Sequence, residues 1–192
     1  MLAPSELRPG MVLRLEGELY KVIAADYHGG GGKMGGVAHA KLRNLSTGTI
    51  WERRFRADES VEEVVPERQN MQFLYGDAGL STFMNPENFE QVEVENERLG
   101  PVARYLKPEM VLPVEWVDGH PRGLVFPPIV EVQVAQTAPP IHSPGSDNVW
   151  KEAVLENGVE IQVPPFIASG EVIRVEVETG KYLERAKPAK KK

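Results

Sequence analysis

The sequence predicts an all-β protein built from small barrels, and three observations carry that prediction. Turn residues are dense, with 18 glycines and 16 prolines in 192 residues. Between them lie short segments in which apolar and polar residues alternate with the period of two that marks strands. No long segment shows the 3.6-residue apolar period of an amphipathic helix.

The segments follow in order. Met11–Leu15 and Glu18–Ile23 flank Glu16-Gly17 and read as a hairpin. Ala38, Ala40 and Leu42 alternate with His39, Lys41 and Arg43. After Thr47-Gly48, Ile50–Phe55 reads as a returning strand. Residues 1–64 are therefore expected to form one barrel of about five strands, with a glycine-rich loop joining two long ones.

A second unit, 65–128, starts near Pro66. Met71–Tyr75 and Leu80–Met84 flank the turn at Gly76–Gly79. Asn85-Pro86-Glu87-Asn88 reads as a helix start, with Asn as cap and Pro at the first helical position. Val114–Val117 and Leu124–Phe126 flank a turn at Asp118-Gly119. Pro127-Pro128 marks the next boundary. In 129–186, Val130, Val132 and Val134 alternate with polar neighbours, as do Val159–Val163 and Ile173–Val177. The proline-bearing stretch 139–153 reads as a loop between these strands. The lysine-rich tail 187–192 is expected to be disordered.

Composition narrows the function. With no cysteine, there is no disulfide framework, thiol nucleophile or thiolate metal site. The N-terminus lacks the basic start and apolar core of a signal peptide, so a cytoplasmic location is the default. No apolar run approaches the roughly 18 residues of a membrane span. The net charge of −6 is unevenly placed: 1–56 carry nine Lys/Arg against five Asp/Glu, and 57–192 carry thirteen against twenty-three. A basic end favours a phosphate-rich partner, while an acidic body argues against indiscriminate nucleic-acid binding.

The most informative segment is His28–Gly36, in which six of nine residues are glycine around a single lysine, Lys33. A packed core has no use for such a run, because glycine loses the most backbone entropy on folding and buries no side chain. From Tyr27 through Trp51 there is no Asp or Glu. The loop reads as a pliable probe with one long cation at its tip. It is not a phosphate-binding P-loop, despite Gly32-Lys33. The first glycine of that motif is replaced by Tyr27, the magnesium-binding Ser/Thr by Met34, and a strand follows rather than a helix.

Catalytic constellations are missing. His28, His39, His120 and His142 have no ligand spacing, and no metal or cofactor site is expected. Carboxylate runs such as Glu93, Glu95 and Glu97 read as solvated surface. Trp51 and Phe55 share a strand face with Arg53 and read as core or half-core rather than as a base-stacking platform. Lys41, Arg43, Arg53 and Arg54 are the candidate RNA contacts, although alternate strand residues point to opposite faces.

The chain resembles bacterial elongation factor P, a relative of translation initiation factor 5A, along nearly its whole length. In the first unit the resemblance lies in Arg8-Pro9-Gly10-Met11, the Lys33 loop, Ala40–Asn44 and Thr47-Gly48-Thr49. In the second it lies in Gln72–Tyr75, Phe83-Met84-Asn85 and Phe89-Glu90-Gln91. The third has Lys151-x-Ala153, Gly158, Ile161-x-Val163-Pro164, Ile167, Gly170 and Gly180-x-Tyr182. The resemblance implies an SH3-like (KOW-type) barrel followed by two OB barrels in an L-shaped, tRNA-like outline. It implies a non-enzymatic, monomeric factor that binds both ribosomal subunits between the peptidyl and exit sites and relieves stalling at consecutive prolines. Lys33, a target for a lysine-modifying enzyme, would reach the CCA end of peptidyl-tRNA, with Gly31, Gly32, Met34 and Gly35 forming the contact loop. No cofactor and no membrane partner are implied. An alternative is a general RNA-binding or ribosome-assembly module. Two departures stand out. Family loops often read Pro-Gly-Lys-Gly where this chain has Gly31-Gly32-Lys33-Met34. The third-domain Gly-Asp-Thr, which resemblance assigns to the exit-site codon, is Ser143-Pro144-Gly145.

Overall fold

A computed structural model describes residues 1–30, 35–141 and 149–186. Among these the chain is all-β, with three five-stranded antiparallel sheets and one short α-helix. The first sheet contains β1 (Val12–Leu15), β2 (Glu18–His28), β3 (Val37–Asn44), β4 (Ile50–Arg56) and β5 (Glu62–Val64), in the order β4-β3-β2-β1-β5. Glu16 and Gly17, with φ of 54° and 86°, close the β1–β2 hairpin in a tight turn. Two consecutive positive φ values match the twist of the flanking strands. The inward residues are those the alternation marks: Leu13, Leu15, Val22, Ala38, Ala40, Leu42 and Phe55 form one buried cluster.

The second sheet runs β10-β9-β6-β7-β8, from β6 (Glu67–Gly76), β7 (Leu80–Met84), β8 (Gln91–Glu95), β9 (Val111–Val117) and β10 (His120–Leu124). Phe73 and Phe83 meet edge to face in its core, ring centroids 5.5 Å apart. The turn between β6 and β7 is built by Asp77, whose Oδ1 accepts the N–H groups of Gly79 (2.7 Å) and Leu80 (2.8 Å). These donors hold the Asp77 carboxyl below its ordinary range. A depressed folded-state value stabilises the fold above the ordinary range, and that contribution is lost as pH falls through the folded value. An NMR titration should therefore place Asp77 below an ordinary aspartate. A midpoint at or above the ordinary value would contradict this account of the turn.

One expectation is corrected. Asn85–Asn88 does not start a helix: residues 86–88 form a turn. The Asn85 side chain accepts the Glu87 N–H at 2.8 Å, as a cap would. The Phe89 N–H then closes on the Asn85 carbonyl at 2.9 Å, and Phe89 adopts φ 62°. A left-handed residue ends the turn before a second one can form. The α-helix comes later, at α1 (Asn96–Leu99), followed by a 3-10 segment at Gly100–Tyr105.

The first two sheets belong to one compact unit, Met1–Gly100 with Lys107–Val125. Val12, Leu19 and Leu45 cluster there with Val117 of β9. Glu115, 3% exposed, accepts from Lys21 Nζ (2.7 Å) and pairs with Arg68 (3.1 Å). Lys21 Nζ also donates to the Leu124 carbonyl at 3.3 Å.

The second unit, Pro101–Leu106 with Phe126 onward, holds the third sheet. Its strands are β11 (Ile129–Thr137), β12 (Lys151–Leu155), β13 (Glu160–Val163), β14 (Val172–Glu176) and β15 (Lys181–Arg185), in the order β13-β12-β11-β14-β15. Val132, Val134, Leu155, Val163, Ile173 and Val175 form its core with Tyr105.

Candidate nucleic-acid interface

The β2–β3 hairpin is the element that positions the glycine loop. Its register runs from Tyr20↔Asn44 to His28↔Val37, with one bulge between Val22 and Ala24. Below the bulge the inward residues are buried. Beyond it Asp26, Tyr27 and His28 are all exposed, while Ala38, opposite Tyr27 on β3, stays buried in the core cluster. Gly31, Gly32, Lys33 and Met34 lie outside the described residues, as do Ser143-Pro144-Gly145 and the 187–192 tail.

The root of the loop is tightly specified. The Gly36 carbonyl accepts the Ala57 N–H at 2.9 Å. The Tyr27 ring lies directly over Gly36, where a Cβ would collide with its hydroxyl and stand 2.9 Å from the His28 carbonyl. Gly36 is buried, and a Cβ on Gly35 would meet the Ala57 methyl at 3.3 Å. These glycines admit close chain packing; glycine here serves clearance as well as pliability.

The outer face of β2, β3 and β4 carries the polar groups in rows set by the register: His28–Val37–Arg56, then Asp26–His39–Arg54, then Ala24–Lys41–Glu52. His28 and His39 meet edge to face with ring centroids 5.7 Å apart. Lys41 stands directly opposite Glu52, whereas the two rows nearer the loop hold Arg54 and Arg56 against Asp26. The positive excess of this face therefore lies toward the loop. Arg56 is paired with Asp58 at 3.3 Å, both well exposed, so that pair constrains it little.

The four candidate cations divide. Lys41 and Arg54 are exposed on this outer face. Arg53 lies on the opposite face, over Trp51 (5.2 Å) and Phe55 (4.9 Å), with Glu16 and Glu59 at 3.6 and 3.8 Å. Its charge is engaged by aromatic faces and carboxylates. Arg43 is 8% exposed, and its guanidinium packs where a Cβ on Gly100 would stand. Trp51 and Phe55 are half-buried and buried, and Tyr20 packs on Trp51 at 5.4 Å.

Sequence reasoning missed the Tyr27–Gly36 contact and the role of Lys151. Lys151 Nζ donates to the carbonyls of Ala138 (2.5 Å), Pro139 (3.3 Å) and Ile167 (2.6 Å), tying both sides of the stretch that follows β11. Burial pushes its ammonium below the ordinary lysine range, and Glu171 opposes that shift. Among the described residues, no group of three or more His, Asp or Glu could hold a metal ion. Among the same residues no helix is long and apolar enough to cross a membrane.

Comparison with known proteins covers almost the whole chain. Residues 4–61 match the elongation factor P KOW-like domain, 66–124 its OB domain and 130–185 its C-terminal domain. Elongation factor P of Acidobacterium capsulatum is 40% identical over 182 residues, covering 95% of this chain and 97% of the relative. That of Moorella thermoacetica is 38% identical over 186 residues, covering 97% and 100%. Among solved structures, a translation initiation factor 5A from Methanococcus jannaschii aligns at 16% identity and a TM-score of 0.41, over 65% of this chain and 95% of that one.

Proposed function

This chain belongs to the elongation factor P family of translation factors, and on that premise we propose that it binds the ribosome between the peptidyl and exit sites and stimulates peptide-bond formation at consecutive prolines. In this reading Lys33, bare or modified, is delivered by the β2–β3 hairpin to the CCA end of peptidyl-tRNA. The protein works in the cytoplasm, as a non-enzymatic factor. The observation that carries the reading is the hairpin itself. It leads directly into the glycine loop, is pinned at its root through Gly36, and places Arg54, Arg56, His28 and His39 on the rows nearest a loop that holds one lysine and no carboxylate.

The physical logic is one of orientation. Proline fixes its φ and offers a hindered secondary amine as nucleophile. Transfer to such a nucleophile depends on holding the two reactants in line, and restricting the motion of one is worth several kcal/mol. Five residues lead from His28 to Lys33, and a fully extended chain of that length would span at most about 17 Å. A cation on that reach can fix an RNA end without acting as acid or base. A general RNA-binding module would lean on Arg43, Arg53 and Arg54, and two of those three are engaged within the first unit.

The test is a polyproline-stalling reporter in cells lacking the protein. Wild type should restore synthesis, and Lys33→Ala should lose most of that restoration at equal protein level. Full restoration by Lys33→Ala would refute the tip mechanism. Absence of any effect of the wild-type protein would refute the function.

A further inference from the structure

Phe89 is a large aromatic side chain 69% exposed to solvent, and its backbone is left-handed at φ 62°. Both features run against ordinary preference. A bulky residue at positive φ is strained, and glycine or asparagine would relieve it. Strain of this kind persists only where the surroundings impose it. Here they do. The Asn85 N–H donates to the Glu90 carbonyl (2.9 Å), and the Phe89 N–H to the Asn85 carbonyl (2.9 Å). The Glu90 N–H donates to the Asn88 side chain (3.0 Å), whose amide returns a bond to the Glu90 carboxylate (3.0 Å). These bonds fix the turn, and the ring it presents stands largely in solvent.

The adjoining sheet carries an uncharged, partly exposed row of its own. Residues directly paired across an antiparallel sheet share a face. Val111 pairs with Gln72, Gln72 with Met84, and Met84 with Gln91, so these four form one uncharged row across β9, β6, β7 and β8. Val111 is 55% exposed, and the row ends at the turn that mounts Phe89. Along the chain from β6 to β8 the charge has one sign, with Lys107 preceding Val111 on the β9 side. Between Arg68 and Arg98 there is no Lys or Arg, while Asp77, Glu87, Glu90, Glu93, Glu95 and Glu97 are all acidic. Such a surface repels phosphate, which makes it a poor site for RNA. It fits a basic polypeptide with an apolar pocket: aromatic anchors in pockets carry much of the energy of protein interfaces, and complementary charge steers the approach.

We propose that Phe89, with the Val111–Gln72–Met84–Gln91 row, is an anchor for a basic protein segment whose Lys or Arg side chains meet Glu87, Glu90 and Glu93. Resting on the function proposed above, that segment belongs to a protein of the ribosome, contacted independently of the Lys33 hairpin.

The experiment uses the full-length chain and purified 70S ribosomes. Phe89→Gly removes the ring and relieves the positive φ. It should leave thermal stability equal or raised, yet weaken ribosome binding at least tenfold. A photoreactive benzoylphenylalanine at position 89 should crosslink to a Lys/Arg-rich segment of a ribosomal protein. Unchanged affinity for Phe89→Gly would overturn the inference while leaving the proposed function intact. So would a crosslink to ribosomal RNA, or a lowered melting temperature that assigned Phe89 a packing role. If the wild-type chain fails to bind ribosomes at all, the functional reading falls and this inference with it.

Discussion

Glu115→Ala is expected to destabilise the unit that holds the first two sheets by about 2–3 kcal/mol. Breaking a buried pair by removing one partner costs more than the pair itself contributes, because a charge is left without its counter-ion. Glu115 is buried, with its side chain 4% exposed, and serves two cations at once. Lys21 is 22% exposed and would keep only the Leu124 carbonyl. Arg68 is 59% exposed and would return to water, which is why the figure stays below the 3–5 kcal/mol of a fully buried pair. Glu115→Gln should cost less, since the amide oxygen still accepts from Lys21. The measurement is denaturant unfolding, with Lys21→Met and the double variant completing a cycle. A Glu115→Ala loss under about 0.5 kcal/mol would mean the Val12–Leu19–Leu45–Val117 cluster alone holds the two sheets together.

That pair also shows where sequence reading stops. The strands of the first sheet, the Glu16-Gly17 and Asp118-Gly119 turns, and the alternation of Ala38, Ala40 and Leu42 with His39 and Lys41 were legible because they are local. Each depends on residues within a few positions, and the period of two exposes it. Glu115 sits in Val114-Glu115-Trp116-Val117, where nothing distinguishes it from the solvated carboxylates elsewhere, and its partners are 94 and 47 residues away in sequence. The packing of Arg43 was hidden for the same reason. Strand parity puts it beside Lys41 on the open face, but the guanidinium folds over Gly100, a contact no periodicity reports. The Asn85-Pro86 misreading is different. Cap chemistry was read correctly and the next step was not, because a left-handed phenylalanine is not something composition predicts. Of the site, the presence of a long hairpin carrying the lysine was legible, and so was the half-core place of Trp51 and Phe55. Which cations share its outer face required the register.

The glycine loop illustrates how one residue type serves two demands, and Gly36→Ala separates them. The substitution should cost about 1–3 kcal/mol, the usual range for forcing an extra methyl into occupied space. Its Cβ would overlap the Tyr27 hydroxyl and approach the His28 carbonyl to 2.9 Å. Tyr27 is 45% exposed and can swing outward; the His28 carbonyl is backbone and moves only with the hairpin. Tyr27→Ala combined with Gly36→Ala should therefore recover part of the stability and not all of it. The residual loss measures the backbone clash. Because that clash falls at His28↔Val37, the last pair of the register, it also shifts the point from which the loop departs. Polyproline reporter output should then fall with Gly36→Ala and remain depressed in the double variant, even where its unfolding free energy approaches wild type. An alanine at Gly29, where a Cβ meets nothing within 4 Å, supplies the control: it stiffens the loop without crowding its root. If Gly29→Ala and Gly36→Ala impair the reporter equally, flexibility of the run is what matters. If Gly36→Ala alone does so, the glycine at the root is there to hold the hairpin on its line toward the target of Lys33.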